Sequence, residues 1–335
     1  MEYRTLGKTG LRVSRMGFGG IPIQRIDAEG TKQLMHFLLD MGINYIDTAR
    51  GYSVSESFLG YGLEGIREHF VLATKTMART AEAMAADIDR SLSELRTSWI
   101  DLYQMHNPSL ADLETVQAPG GALEAMEAAK AAGKIRHIGI TCHSAQVFKA
   151  ALELSWVETI MFPYNIVETQ GQDLVRKCHS KGIGFIAMKP LAGGAIEDAA
   201  LAMRYLASDS AVDLAIPGMA SREEIGCNAA AFADTSPLSP QELERCNAIR
   251  SQLGTEFCRR CNYCAPCPQG ISIPNVFLFR GYVERYDLGA WAKGRYDAMA
   301  KHASDCIGCG SCESRCPYQL PIRKMMSAAA ERFGY

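Results

Sequence analysis

Phe70-Val71-Leu72-Ala73-Thr74-Lys75, a helical stretch over 81–95, and then Ile100-Asp101-Leu102-Tyr103-Gln104-Met105 decide the fold. Two short runs rich in β-branched, apolar and aromatic residues flank a segment with a period near 3.6, the pattern of one βαβ unit. Outward from this unit the alternation repeats. Strand-like runs at 16–20, 44–47, 137–142, 159–162, 184–188 and 212–216 bring the total to eight, with helical stretches such as 31–41, 122–132, 172–181 and 199–207 between them. Eight strands each followed by a helix predict a closed parallel (β/α)8 barrel rather than an open doubly wound sheet.

A break follows at Asp234-Thr235-Ser236-Pro237. Ser239-Pro240-Gln241-Glu242 then reads as a capping box with proline at the first helical position, which predicts a helix to about residue 253. Beyond it the composition turns to cysteine, proline and glycine, and the tail repeats itself. Cys267-Pro268-Gln269-Gly270-Ile271-Ser272-Ile273 parallels Cys316-Pro317-Tyr318-Gln319-Leu320-Pro321-Ile322, so two related half-modules are expected, joined by one helical stretch over 274–303. The reading is therefore α/β: a barrel domain over 1–235, then a small, mostly helical domain over 236–335.

Of the 335 residues, 47% are hydrophobic and 21% charged, enough apolar surface for a sizeable core. A net charge of −2 gives no basic field for nucleic acid or anionic lipid. No run of about 18 apolar residues occurs and the N-terminus has no secretory pattern, so a cytoplasmic protein with no membrane span is expected. Its partners are then a small-molecule substrate or another protein. Without a secretory signal, twelve cysteines in clusters read as metal ligands rather than disulfides.

Cys258, Cys261 and Cys264 are followed by Cys267-Pro268; Cys306, Cys309 and Cys312 are followed by Cys316-Pro317. Thiolates at i, i+3 and i+6 suit a loop wound around an iron–sulfur cubane, whose fourth ligand comes from a distant segment. In two-cluster ferredoxins the Cys-Pro cysteine of each run ligates the other run's cluster. One 4Fe-4S cluster is therefore expected on Cys258, Cys261, Cys264 and Cys316, and a second on Cys306, Cys309, Cys312 and Cys267. Structural zinc is the alternative, but it favours paired knuckles a dozen or more residues apart. The isolated Cys142, Cys178, Cys227 and Cys246 read as small buried apolar residues, Cys142 being considered again below.

Polar side chains stand at the ends of several strands: Asp47 closes the second, Lys75 the third, and His106 follows the fourth, with Tyr52 in the loop after Asp47. A parallel barrel gathers these ends on one face. A phenol is a weak acid at neutral pH; an adjacent ammonium lowers its pKa, and a carboxylate holds the ammonium in place. His106 is placed to donate a hydrogen bond to a substrate oxygen. Singly, Asp47 and Lys75 read equally as a structural ion pair and His106 as a loop histidine.

The stretches Tyr3-Arg4-Thr5-Leu6-Gly7-Lys8-Thr9-Gly10, Asp47-Thr48-Ala49 with Tyr52, Ala73-Thr74-Lys75, Asp101-Leu102-Tyr103-Gln104-Met105-His106 and Ile216-Pro217-Gly218 resemble the aldo-keto reductases over residues 1 to about 235. The whole chain, including Met188-Lys189-Pro190-Leu191, is similar to the subgroup with an appended ferredoxin-type tail. The resemblance implies a catalytic tetrad of Asp47, Tyr52, Lys75 and His106. Tyr52 would be the general acid, with nicotinamide, from NAD(P)H, delivering hydride. It also implies cofactor contacts at Gly20, Thr141, Cys142, Met161 and Met188. At the last four the usual amide-recognising groups and aromatic shelf are replaced, which motivates flavin as a further cofactor to consider. The loop Gly218-Met219-Ala220-Ser221-Arg222-Glu223-Glu224, leading to a helix ending near Asn228, offers backbone amides and Ser221 to a phosphate. Glu224 stands where the family places an arginine for the adenosine 2′-phosphate, which disfavours NADPH.

Three readings follow. The first is a redox enzyme for a carbonyl-type substrate whose clusters pass electrons to or from a ferredoxin-like or other redox protein. The second is an NAD(P)H-dependent carbonyl reductase with structural or oxygen-sensing clusters. The third is a non-enzymatic electron-transfer or regulatory subunit.

Overall fold

The computed structural model describes residues 1–334, which divide into two compact units. The first comprises Met1–Asn165, Thr169–Pro190 and Asp198–Leu238. It opens with a hairpin, β1 (Tyr3–Thr5) and β2 (Arg12–Ser14), paired antiparallel. Eight parallel strands follow: β3 (Phe18–Gly19), β4 (Tyr45–Asp47), β5 (Val71–Thr76), β6 (Ile100–His106), β7 (Ile135–Thr141), β8 (Thr159–Pro163), β9 (Gly184–Met188) and β10 (Leu214–Ile216). Around them run α1 (Ala28–Asp40), α2 (Ser55–Gly62), α3 (Ala81–Glu94), α4 (Leu110–Gln117), α5 (Ala122–Ala131), α6 (Ala145–Ala151), α7 (Gln172–Lys181), α8 (Ala199–Ala207) and α9 (Arg222–Phe232).

The strands are hydrogen-bonded in sequence order from β3 to β10, and the first and last close on each other through bridges Met16 to Ala215 and Gly19 to Gly218. This is the TIM-barrel architecture. Its helices start where the side chains dictate: Asp27, Thr80, Ser109, Ser144, Asp198 and Ser221 each accept a backbone N–H as N-cap. An apolar cluster fills the barrel, built from Tyr45, Ala73, Leu102, Met161, Ile186, Met188, Leu214 and Ile216. Leu6 and Val13 of the hairpin region complete it. At Gly7, φ is +53° and an added Cβ would lie 2.2 Å from the Gly184 nitrogen, so only glycine lets the hairpin turn seat against the start of β9.

The second unit comprises Ile166–Glu168, Leu191–Glu197 and the chain from Ser239 onward. It carries α10 (Pro240–Leu253), α11 (Ile273–Arg285), α12 (Gly289–Asp297), α13 (Ser311–Ser314) and α14 (Ile322–Phe333). The capping box that starts α10 is present, with Ser239 Oγ accepting from Glu242 N and Glu242 Oε2 from Ser239 N. The single helical stretch expected over 274–303 is instead two helices, broken where Asp287 takes a left-handed φ of +52°. Among the described residues no helix is long and apolar enough to cross a membrane.

Candidate functional site

At the carboxyl end of the barrel strands, Asp47 and Lys75 are 3% and 2% exposed and their side chains meet directly. Lys75 Nζ also donates to the Thr48 carbonyl at 2.8 Å, and Gln104 Nε2 donates to Asp47 Oδ1 at 3.0 Å. Burial pushes the Asp47 carboxyl up and the Lys75 ammonium down, and each group is the main force restoring the other's charge. The loop after β4 continues the ladder onto β5, with Thr48 N bonded to Ala73 O and Arg50 N to Lys75 O. Two turns, Tyr52 N to Ala49 O and Ser55 N to Tyr52 O, then fix the backbone at Tyr52. The Tyr52 ring centroid lies 4.8 Å from Lys75 Nζ, and the His106 ring meets it edge-on at 6.3 Å. The strand ends thus assemble Asp47, Tyr52, Lys75 and His106 around one phenol.

Gln104 is the partner that sequence reasoning missed. Fully buried on the strand that ends in His106, it looks from sequence like any residue of a strand core. His143 was missed too: it is 5% exposed, and its Nδ1 lies 2.9 Å from Asn107 Oδ1 at the same end of the barrel. Asn165, fully buried just after β8, donates to the Lys189 carbonyl at 2.9 Å.

The other candidate positions are distributed unevenly. Gly20 sits against β4, its N–H donating to Asp47 O at 2.8 Å, where a Cβ would crowd that oxygen at 2.9 Å. Thr141 Oγ1 accepts from Asn107 N at 3.0 Å. Cys142 is fully buried beside Cys178, and that burial pushes its thiol pKa up, so its sulfur belongs to the packing against α7. Met161 and Met188 belong to the apolar filling of the barrel. Gly218 packs on Gly19 and Pro22. Ser221 Oγ caps α9, and the Glu224 carboxylate accepts from Ala220 N and pairs with Arg25 at 3.5 Å. The Ala220 amide offered to a phosphate is thus already engaged, and the Glu224 carboxylate draws Arg25, from the turn at Pro22–Arg25, against the start of α9. Asn228 is buried within α9.

In the second unit the two cysteine runs share one backbone design. Left-handed residues occur at Arg260 (φ +56°) and Asn262 (φ +66°) after Cys258, and at Gly308 (φ +67°) and Gly310 (φ +75°) after Cys306. The same kink recurs at Gly270 and Gln319, three residues after each Cys-Pro cysteine. Repeated reversals curl each loop so that cysteines three apart face one side. Cys267 lines one cavity with Cys306, Cys309 and Cys312, walled by Ile271, Ile273 and Met326. In the other run Cys264 lies within electrostatic reach of Cys258 and Cys261, and Cys261 of Cys316. Among the described residues no three His, Cys, Asp or Glu gather around a single ion. The donor set of soft thiolates spread around apolar walls fits an iron–sulfur cluster. Of the four isolated cysteines, Cys142, Cys178 and Cys246 are buried, but Cys227 is exposed on α9 and corrects the expectation for that position.

Residues 15–200 match the family model described as "Aldo/keto reductase family", and residues 257–321 match that of the "4Fe-4S dicluster domain". The chain is 30% identical over 221 residues to the L-galactose dehydrogenase of Arabidopsis thaliana, spanning 59% of this chain and 68% of that protein. It is 27% identical over 257 residues to the 6-dehydroglucose reductase of Novosphingobium aromaticivorans, spanning 69% and 81%. The solved structure of the aldo-keto reductase AKR11C1 from Bacillus halodurans superposes with a TM-score of 0.65 at 26% identity, covering 74% of this chain and 96% of that one.

Proposed function

From the premise that this chain belongs to the aldo/keto reductase family and is an oxidoreductase ending in a 4Fe-4S dicluster domain, we propose that it interconverts a small carbonyl compound and its alcohol, with Tyr52 as proton donor. The observation that carries this reading is the placement of Lys75 Nζ, paired with Asp47 and 4.8 Å from the Tyr52 ring centroid. As the carbonyl oxygen gains electron density, Tyr52 Oη gives it a proton, and the ammonium stabilises the phenolate left behind. Asp47, held from its other side by Gln104, keeps the buried ammonium charged. His106, edge-on to the same ring, orients the substrate oxygen.

A bound nicotinamide dinucleotide supplies the hydride for this chemistry. On the family resemblance Glu224 falls at the adenosine end of such a dinucleotide; a carboxylate there would repel a 2′-phosphate, which favours NADH over NADPH. Cys258, Cys261, Cys264 and Cys316 would hold one cluster and Cys306, Cys309, Cys312 and Cys267 the other, which would supply one-electron exchange with a ferredoxin-like or other redox protein. Hydride moves electrons in pairs, so such exchange calls for a carrier able to split them, and flavin is the candidate that cofactor analysis of the purified protein decides. The likeness to L-galactose dehydrogenase and 6-dehydroglucose reductase makes sugar-derived carbonyls the first substrates to test. Lys75→Met tests the site: kcat/KM should fall by about 10²–10⁴-fold while dinucleotide binding holds. A variant with unchanged turnover would remove the tetrad from the chemistry.

A further inference from the structure

We propose that Glu56 is a fifth member of the proton-donating site: a positioning residue that supplies the second negative charge holding the Lys75 ammonium and that fixes the loop carrying Tyr52. The inference rests on the reading of Asp47, Tyr52, Lys75 and His106 given above.

Glu56, in the first turn of α2, is 1% exposed. Its Oε1 accepts from Thr74 Oγ1 at 2.6 Å and from Ser91 Oγ at 2.9 Å, and its Oε2 meets the Arg50 guanidinium. Two of these partners belong to segments that carry the site. Thr74 immediately precedes Lys75, and Arg50 lies between Asp47 and Tyr52, its own N–H bonded to the Lys75 carbonyl at 3.0 Å. Ser91 and Glu94 of α3 anchor the assembly from outside, Glu94 Oε2 taking a second bond from Arg50 Nη1 at 2.9 Å.

A buried carboxylate is costly, and a neutral glutamine could accept the same bonds from Thr74 and Ser91. What glutamine cannot do is share with Glu94 the neutralisation of Arg50. Remove the charge of Glu56 and Arg50 keeps Glu94 alone, while the buried ammonium is left with Asp47 as its close counter-charge. The groups acting on Lys75 are Asp47 from β4, the Thr48 carbonyl, the Tyr52 ring and Glu56 from α2; Arg50 and Glu94 reach it through Glu56, and His106 and Gln104 of β6 through Tyr52 and Asp47. Burial draws the Lys75 proton off; Asp47 and then Glu56 oppose it.

The test uses the full chain with clusters intact and three variants, Glu56→Gln, Glu56→Asp and Arg50→Met, assayed by NADH-dependent reduction of 4-nitrobenzaldehyde across pH. Lys75 itself is titrated by nuclear magnetic resonance with isotope-labelled lysine, its signal assigned by comparison with Lys75→Met. In Glu56→Gln the Lys75 titration and the alkaline limb of kcat should both move to lower pH, with kcat at neutral pH down about tenfold. Glu56→Asp, which keeps the charge, should recover most of that loss. Arg50→Met should move the limb the opposite way, which gives a signed result even where Glu56→Gln does not fold. A Lys75 titration unmoved in Glu56→Gln, or moved downward in Arg50→Met, overturns the proposal. If the titration moves as expected but the wild-type chain reduces no carbonyl, the hold of Glu56 on Lys75 stands and the carbonyl reading falls.

Discussion

Glu224 sets the charge of the loop before α9. Its carboxylate takes the Ala220 N–H and pairs with Arg25, so negative charge sits at the start of α9, where a helix favours an anion. Replacing it with glutamine keeps the reach but removes the charge. Glu224→Gln is expected to raise affinity for NADPH relative to NADH by about fivefold to tenfold, measured as the ratio of the two dissociation constants by fluorescence titration. An unchanged ratio would place the adenosine end elsewhere. At this scale the sequence was informative where chemistry follows position along a strand. Asp47, Lys75 and His106 are legible because parallel strands bring their ends together whatever the helices do. Gln104 and Glu56 are not, because a polar residue at an inward or packed position declares its role only once tertiary structure supplies Asp47 or Arg50 beside it.

Glu158 ties β7 to the segment before β8. Its carboxylate accepts from Ile138 N at 2.9 Å, meets His137 Nδ1 at 2.7 Å and pairs with Lys130. Burial raises its pKa, but His137, Lys130 and the Ile138 amide outweigh that and hold it at about 2. A folded-state pKa below the unfolded value of 4.5 means that this stabilisation is present above pH 4.5 and is lost as pH falls toward about 2. Glu158→Gln should therefore be less stable than wild type at pH 7, with the difference shrinking through that window, as thermal unfolding followed by circular dichroism would show. A difference constant with pH would contradict it. The elements legible in the sequence are those with long periodic runs. The hairpin at 3–14 escaped because two three-residue strands leave no run to see, and α4 because its 8 residues complete barely two helical turns. The break between α11 and α12 rests on one left-handed residue, Asp287, of a type that helices also tolerate.

For the chain as a whole, the crossed cysteine pattern makes a prediction that separates the two half-modules. Cys267 lines the cavity of the 306–312 run, and Cys261 is within electrostatic reach of Cys316. Cys267→Ser is thus expected to impair the cluster of the second run and Cys316→Ser that of the first. Iron and sulfide content should fall by about half in each. Paramagnetic resonance of the reduced proteins should show different surviving signals; the same surviving signal in both would refute the crossing. The barrel and the dicluster domain were both readable because each repeats, the one in strands and helices, the other in cysteines and kinks. What no repeat encodes is the pairing of Arg25 with Glu224 or the exposure of Cys227. The central claim, that the phenol beside Lys75 is the proton donor to a carbonyl, is tested most directly by single-turnover reduction of an aldehyde by the intact chain and its Tyr52→Phe variant. Loss of about 10²–10⁴-fold in the chemical step, with both clusters retained and aldehyde binding unchanged, is the predicted result; an equal rate in the two proteins would contradict it.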